Sequence, residues 1–316
     1  MSRLRTALSA AALVAALTLA AACGAPVREE GASQQPQGAA LRIKLGTQDF
    51  PEAKIMGELW RQALAVNGYT VDLQKGVGPA AELDRLLQER SIDGHVAYTG
   101  TVLSVVAGQS VSGLDPQATY QQAKAFYATR NMAMSAMTPF ENKDAIATTR
   151  TFAQANNLSS IADLKNLPTF RLGARPEFDA LYLGRQGLIQ VYGLANSTFV
   201  PVPVGQQYQA LDGGVADAVD AFTTDPQLLT DDYEVLADPQ LLFGSQNVVM
   251  TVDSSKLKVV GERKFLAVVD AVNARLSQDV IVGMNAAVTN GRADADVARQ
   301  FLRDEGLLEP IRLGDS

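Results

Sequence analysis

The sequence has one cysteine, one histidine and one tryptophan among its 316 residues, and aromatic side chains make up 6% of it. The lone cysteine, Cys23, has no intramolecular disulfide partner. No cysteine or histidine cluster offers zinc-ligand spacing, and scattered acids such as Asp231-Asp232 lack the spacing of a calcium loop. A Ser-His-Asp triad would have to use His95, yet no nucleophile elbow accompanies it, so His95 reads as a strand residue near the surface and not as a base. Gly205, Gly213 and Gly214 are not followed by the Lys-Ser or Lys-Thr of a phosphate loop. These gaps argue against an enzyme, and no cofactor or metal is expected. Positive charge is also short. Twenty-seven Lys and Arg stand against 34 Asp and Glu, a net charge of -7, and no basic patch that would neutralise phosphates follows the first residues, which excludes nucleic acid as a partner.

Long hydrophobic runs are missing too, apart from Ala7 to Ala22, which is too short and too alanine-rich for a comfortable membrane span. Arg3 and Arg5 precede it and Cys23 ends it. Residues 1–23 thus resemble a bacterial lipoprotein signal, and Leu19-Ala20-Ala21-Ala22-Cys23 is similar to the lipobox with its leucine one place upstream of the commonest position. That resemblance implies a lipid on Cys23 and an extracytoplasmic protein anchored to the cell membrane, with more than one acyl chain needed for a stable anchor. An ordinary secretory signal with an accidental cysteine is the alternative. Residues 24–40, GAPVREEGASQQPQGAA, have almost nothing to bury and read as a flexible tether.

What is present suits a large core. With 47% hydrophobic and 19% charged residues, the chain is expected to build two lobes rather than one. Leu41 to Leu45 reads as a strand and Pro51 to Val66 as a helix, because Ile55, Met56, Leu59, Trp60 and Ala63 recur at helical spacing behind an N-terminal proline. Strands at Thr70 to Leu73 and Asp93 to Tyr98 alternate with a helix at Ala80 to Gln88, and parallel pairing is the default. After a helix at Pro116 to Thr129 and a strand at Met132 to Met137, Thr138-Pro139-Phe140 marks a break where the chain could leave the first lobe. The β/α rhythm then repeats, with strands at Ala145 to Thr148, Thr169 to Gly173, Thr198 to Val202 and Asp217 to Phe222. Around Phe243 to Val252 the chain returns, and its end is mostly helical. Two blocks joined by two crossings suggest a hinged cleft.

Ile92 to Ser104, IDGHVAYTGTVLS, is the stretch around which this arrangement turns. A β-rich approach ends at a tight Thr99-Gly100 turn, with the hydroxyls of Thr99, Thr101 and Ser104 near a helix N-terminus. It reads either as one wall of a ligand cleft or as an ordinary strand-to-helix turn with a half-buried tyrosine.

Leu45-Gly46-Thr47-Gln48-Asp49-Phe50-Pro51-Glu52 with Gly57-Glu58-Leu59 resembles the opening motif of substrate-binding proteins of osmoprotectant ABC importers, which handle glycine betaine, choline and proline betaine. Tyr98-Thr99-Gly100-Thr101, Arg175-Pro176-Glu177-Phe178, Val191-Tyr192-Gly193-Leu194, Tyr208-Gln209-Ala210-Leu211 and Val219 to Asp225 match that family in order and spacing. The resemblance spans roughly Leu41 to Leu308. It implies an α/β, two-lobed type II periplasmic-binding-protein fold with two hinge crossings, lobe 1 being 41–139 plus 247–316 and lobe 2 140–246. A small molecule would sit between the lobes, an ABC permease would receive it, and a monomer is expected.

In that family a quaternary ammonium sits in a box of aromatic rings. The family motifs carry the four box positions onto Tyr98, Asp144, Phe222 and Gln246, so half of the box is polar here. Thr101 matches a position that bonds a ligand carboxylate. The opening motif adds Gln48, where the family often has a base, with Asp49 and Phe50, and Thr223 follows Phe222. The arginine expected after Pro-Glu-Phe aligns with Leu181, with Arg175 and Arg185 close by. Asp144 reads either as the counter-charge of a cation or as a solvated loop residue beside Lys143. The pocket so altered suits choline better than a zwitterion, and glycine betaine is expected to bind weakly or not at all. A neutral polyhydroxylated or phenolic ligand, and a sensor or interaction module not coupled to uptake, remain as alternatives.

Overall fold

A computed structural model describes residues 41–311; the leader, Cys23 and the tether lie outside the described residues. Within them the chain runs β1 (Arg42–Gly46), α1 (Pro51–Val66), β2 (Thr70–Gln74), α2 (Ala80–Gln88), β3 (Gly94–Tyr98), α3 (Pro116–Ala128) and β4 (Met132–Met134). It continues through β5 (Asp144–Thr149), α4 (Arg150–Asn156), β6 (Phe170–Ala174), α5 (Arg185–Tyr192), β7 (Ser197–Pro201), α6 (Gln207–Asp212), β8 (Ala218–Phe222) and β9 (Tyr233–Leu236). β10 (Val248–Asp253), α7 (Ser254–Val260), α8 (Glu262–Asn273), α9 (Gln278–Thr289) and α10 (Asp294–Asp304) complete it. No helix among the described residues is long and apolar enough to cross a membrane.

The strands form two five-stranded sheets, β2-β1-β3-β10-β4 and β7-β6-β8-β5-β9. Strands followed by a crossover helix pair in parallel, as β1 does with β2 and β3, and β6 with β7 and β8. The parallel default fails at the crossings. β10 runs antiparallel to β3 and β4, and β5 antiparallel to β8 and β9. These strands enter from the opposite sheet without a crossover helix of their own, so nothing turns them back into the parallel direction. β9, which the sequence reading passed over, is a four-residue edge strand.

Period-two alternation sorts the side chains. On β10, Val248, Met250 and Val252 enter one core with Ile43, Leu59, Trp60 and Phe265, while Val249 enters the opposite one with Leu87, Leu103 and Tyr127. α1 lays Ile55, Met56, Leu59, Trp60 and Ala63 into the first core, and the Trp60 indole Nε1 donates to Asn273 Oδ1 at 2.8 Å. The second sheet likewise divides Ala218 from Val219 and Ala221.

β3 is buried along its whole length because both faces of the central strand are covered. His95 is therefore 2% exposed and not near the surface as its sequence context suggested. Burial lowers its pKa, which keeps the ring neutral.

The first crossing leaves β4 earlier than the apolar run through Met137 implied. Past Met134 the hydroxyls of Ser135 and Thr138 accept the N–H groups of Met250 and Val248, each at 2.9 Å, in place of ladder carbonyls. The two crossings then bind each other, through a Glu141–Asn247 bridge and an Asn142 N–H to Gln246 O bond of 3.1 Å.

Candidate functional site

A cavity of about 800 Å³ opens between the two sheets. The loop after β1 brings Gln48, Asp49 and Phe50 to it, and the end of β3 and the turn that follows bring Tyr98 and Thr101. Asp144, Phe222 and Gln246 line the far side and the return crossing. Thr223 is not among its lining residues: its hydroxyl donates to Glu141 O at 2.7 Å and accepts the Lys143 N–H at 3.1 Å, tying β8 to the first crossing.

The turn after Tyr98 requires its glycine, since a Cβ on Gly100 would stand 2.5 Å from Ser245 O. That closeness lets Gln246 Oε1 accept both the Thr101 N–H at 2.9 Å and the Thr101 hydroxyl at 3.2 Å. The amide thus caps the helical turn, and the hydroxyl expected to meet a ligand carboxylate already has a partner. On the same lobe the Phe50 and Tyr98 rings lie 5.8 Å apart at 40°. Tyr98 donates its hydroxyl to Glu52 Oε1 at 2.9 Å.

Glu52, in the first turn of α1, is 2% exposed, and burial raises its pKa against the opposing bonds from Thr224, Tyr98, Asn142 and Asn285. It gathers donors from both lobes at one point. Gln48 donates from Nε2 to Val96 O at 3.1 Å, and Asp49 pairs with Lys54 at 2.6 Å.

On the second lobe, register brings the chemistry together. Asp144 opens β5 directly opposite Phe222 on β8, and Asp220 lies two residues back on the same face. Asp144 is therefore a strand residue, not the solvated loop residue that one reading of the sequence allowed. Arg175, at the end of β6, donates through Nη1 to Asp144 Oδ1 at 2.8 Å and to Asp220 Oδ2. Its guanidinium carbon stands 5.6 Å from the centre of the Phe222 ring and 5.2 Å from that of Phe178. Burial first, and then the Asp144 charge, push the Asp220 pKa well above the usual carboxylate range.

Arg175, close in sequence to the Leu181 position with which the expected arginine aligns, lines the cavity, whereas Leu181 does not. Arg175 already neutralises Asp144, so the aspartate is not an unpaired counter-charge for a ligand. Sequence reasoning missed Glu52 and Asn142 as well. An acid at the N-terminus of the helix that follows Phe50-Pro51 was the available signal for Glu52.

A family model described as the substrate-binding domain of ABC-type glycine betaine transport systems matches residues 42–304. A glycine-betaine-binding protein of Pseudomonas aeruginosa is 26% identical over 286 residues, covering 86% of this chain and 90% of that protein. An ergothioneine transport permease/ergothioneine-binding protein of Helicobacter pylori is 21% identical over 269 residues, covering 84% of this chain and 48% of that protein, about half its length. The solved structure of a glycine betaine/carnitine/choline ABC transporter superposes with a TM-score of 0.76 at 20% identity, over 84% of this chain and 100% of that one. That likeness shows the two-lobed, type II periplasmic-binding fold.

Proposed function

The chain belongs to the family of substrate-binding domains of ABC-type glycine betaine transport systems, and on that premise we propose that it holds a quaternary ammonium compound of the choline or betaine type between its lobes and delivers it to the permease of an ABC importer. The observation that carries this reading is the meeting of three rings at one cavity, Phe50 and Tyr98 from the first lobe and Phe222 from the second. Ring faces attract a desolvated cation with about 0.5–2 kcal/mol each, so a ligand bound to both lobes gains most when they close on it. The family is one of solute-binding proteins and not of enzymes.

Arg175 alters which member of that ligand class fits. Asp144 is compensated by Arg175, and Glu177 Oε1 stands 3.5 Å from the Nε of the same guanidinium. Both hydrogen bonds from Arg175 leave from Nη1, and none leaves from Nη2 among the described residues. A betaine carboxylate would meet that edge of the guanidinium while its methyl groups lie against the rings, and choline would use the rings alone. Gln48, Asp49, Thr101 and Gln246 would frame the ligand. Lipid attachment at Cys23 and a monomeric state belong to the same proposal.

Calorimetric titration of choline and glycine betaine tests it. Each should bind, and Tyr98→Ala and Phe222→Ala should each weaken binding about tenfold. Absence of heat with both compounds, or full affinity in both variants, would refute the assignment.

A further inference from the structure

Behind the ring wall lies a second cavity of about 450 Å³. It shares Phe50, Asn142 and Phe222 with the first, and its other walls include the start of α1, the α9 residues Asn285 and Thr289, and the loop after β8. Its chemistry is one-sided. Among the described residues, Glu52 and Asp225 are its charged lining residues, and no Lys, Arg or His lines it.

Glu52 also decides which way two neighbouring amides face. It accepts an N–H from Asn142 at 3.1 Å and one from Asn285 at 3.3 Å. An amide whose nitrogen is held by a carboxylate turns its carbonyl away from it. Asn142 Oδ1 and Asn285 Oδ1 are both buried without a hydrogen-bond partner among the described residues, and Asn285 as a whole is 6% exposed. Asp225 supplies a further acceptor. Its Oδ2 takes the Phe222 N–H at 2.9 Å, the Tyr208 hydroxyl at 3.0 Å and the Gln207 amide at 3.3 Å, while its Oδ1 accepts no hydrogen bond among the described residues.

Buried acceptors without donors are costly to keep in a fold, and a ligand that donates to them removes that cost. A quaternary ammonium has no N–H to give, so it cannot be the group for which these oxygens are arranged. We propose that the second cavity is a binding site for a primary or secondary ammonium group, carried on an alkyl arm of the same ligand whose quaternary end lies among Phe50, Tyr98 and Phe222. The arm passes Phe222 and Asn142 and donates to Asp225 Oδ1 and the Asn142 and Asn285 carbonyls. The quaternary end rests on the function proposed above; the ammonium site rests on the second cavity alone.

Three probes separate the two assignments by calorimetry: butyltrimethylammonium, its counterpart with a terminal amine, aminobutyltrimethylammonium, and putrescine. The amine-bearing trimethylammonium should bind at least about tenfold more tightly than the alkyl one. Asp225→Asn keeps an oxygen for the three inward bonds and turns the free oxygen into an N–H donor, so it should bring that ratio to about one. Circular dichroism and thermal unfolding check that the variant folds, and the wild-type ratio does not depend on it. Equal affinity of the two trimethylammonium probes in the wild type, or a ratio that survives in a folded Asp225→Asn, overturns the ammonium site. If putrescine binds, and loses affinity in Asp225→Asn, while neither trimethylammonium probe binds, the ammonium site stands and the quaternary reading of the first cavity falls. No binding by any of the three overturns both.

Discussion

Replacing Arg175 with Met should destabilise the protein by about 3 kcal/mol at neutral pH and shift its ligand preference towards choline. Removing one partner of a buried ion pair costs about 3–5 kcal/mol. The pair here is not uniformly buried: the side chain of Asp220 is 3% exposed, that of Arg175 16% and that of Asp144 22%. Water reaching Asp144 argues for the lower end of that range. Methionine keeps an unbranched stem against Phe178 and Phe222, so the change isolates the charge from the packing. The pH dependence follows from Asp220, whose folded pKa is raised. An acid with a raised folded pKa makes its largest contribution to stability on the acid side, and that contribution is lost as pH rises from the ordinary carboxylate range through the folded value. Removing the guanidinium takes away a charge that opposes this rise. Urea unfolding at neutral pH and at about pH 5 should show the larger loss at neutral pH. In the same variant Asp144 becomes free to face a cation, and the ratio of choline to glycine betaine affinity should increase about tenfold. An equal loss at both pH values, or one below about 1 kcal/mol, would show that the cluster does not hold the second lobe in the way its geometry implies.

Gly100→Ala puts a methyl group 2.5 Å from Ser245 O; it should cost about 1–3 kcal/mol in a denaturant melt and weaken ligand binding, because Gln246 must leave Thr101. Cys23→Ala should lower the share of signal-cleaved protein in the membrane fraction, and retention of the cleaved variant as complete as in wild type would remove lipidation as the anchor. Saturation with a bound ligand should reduce the radius of gyration measured by X-ray scattering, by closure about the crossings near Thr138–Phe140 and Phe243–Gln246. An unchanged value would mean that the cleft is preformed.

The β/α rhythm was legible because alternation and helical spacing are local. Leu41 to Leu45 and the Ile55 to Ala63 stripe each carry their own pattern, and the elements stand where those patterns put them. The antiparallel strands at the crossings were not legible, since direction depends on where a strand enters from and not on what it contains. His95 failed for a related reason: its burial comes from the cores packed on both faces of the first sheet, which its own neighbours in sequence do not reveal. The cavity residues around Tyr98 and Phe222 came from collinear family motifs. Arg175 was in view but without a role, because its meeting with Asp220, 45 residues away, is set by the β6–β8 pairing. Glu52 and Asn142 act through each other across 90 residues, and no spacing in the sequence announces that bond.

The most direct test of the central claim is a comparison of choline with dimethylbutanol, its uncharged carbon isostere, by calorimetry on the wild-type protein. The two have the same shape and the same hydroxyl, so their difference reports the attraction of Phe50, Tyr98 and Phe222 for positive charge. Recognition of a quaternary ammonium by these rings predicts that choline binds at least about tenfold more tightly; equal affinities would mean that the cavity selects for shape and apolar surface and not for a cation.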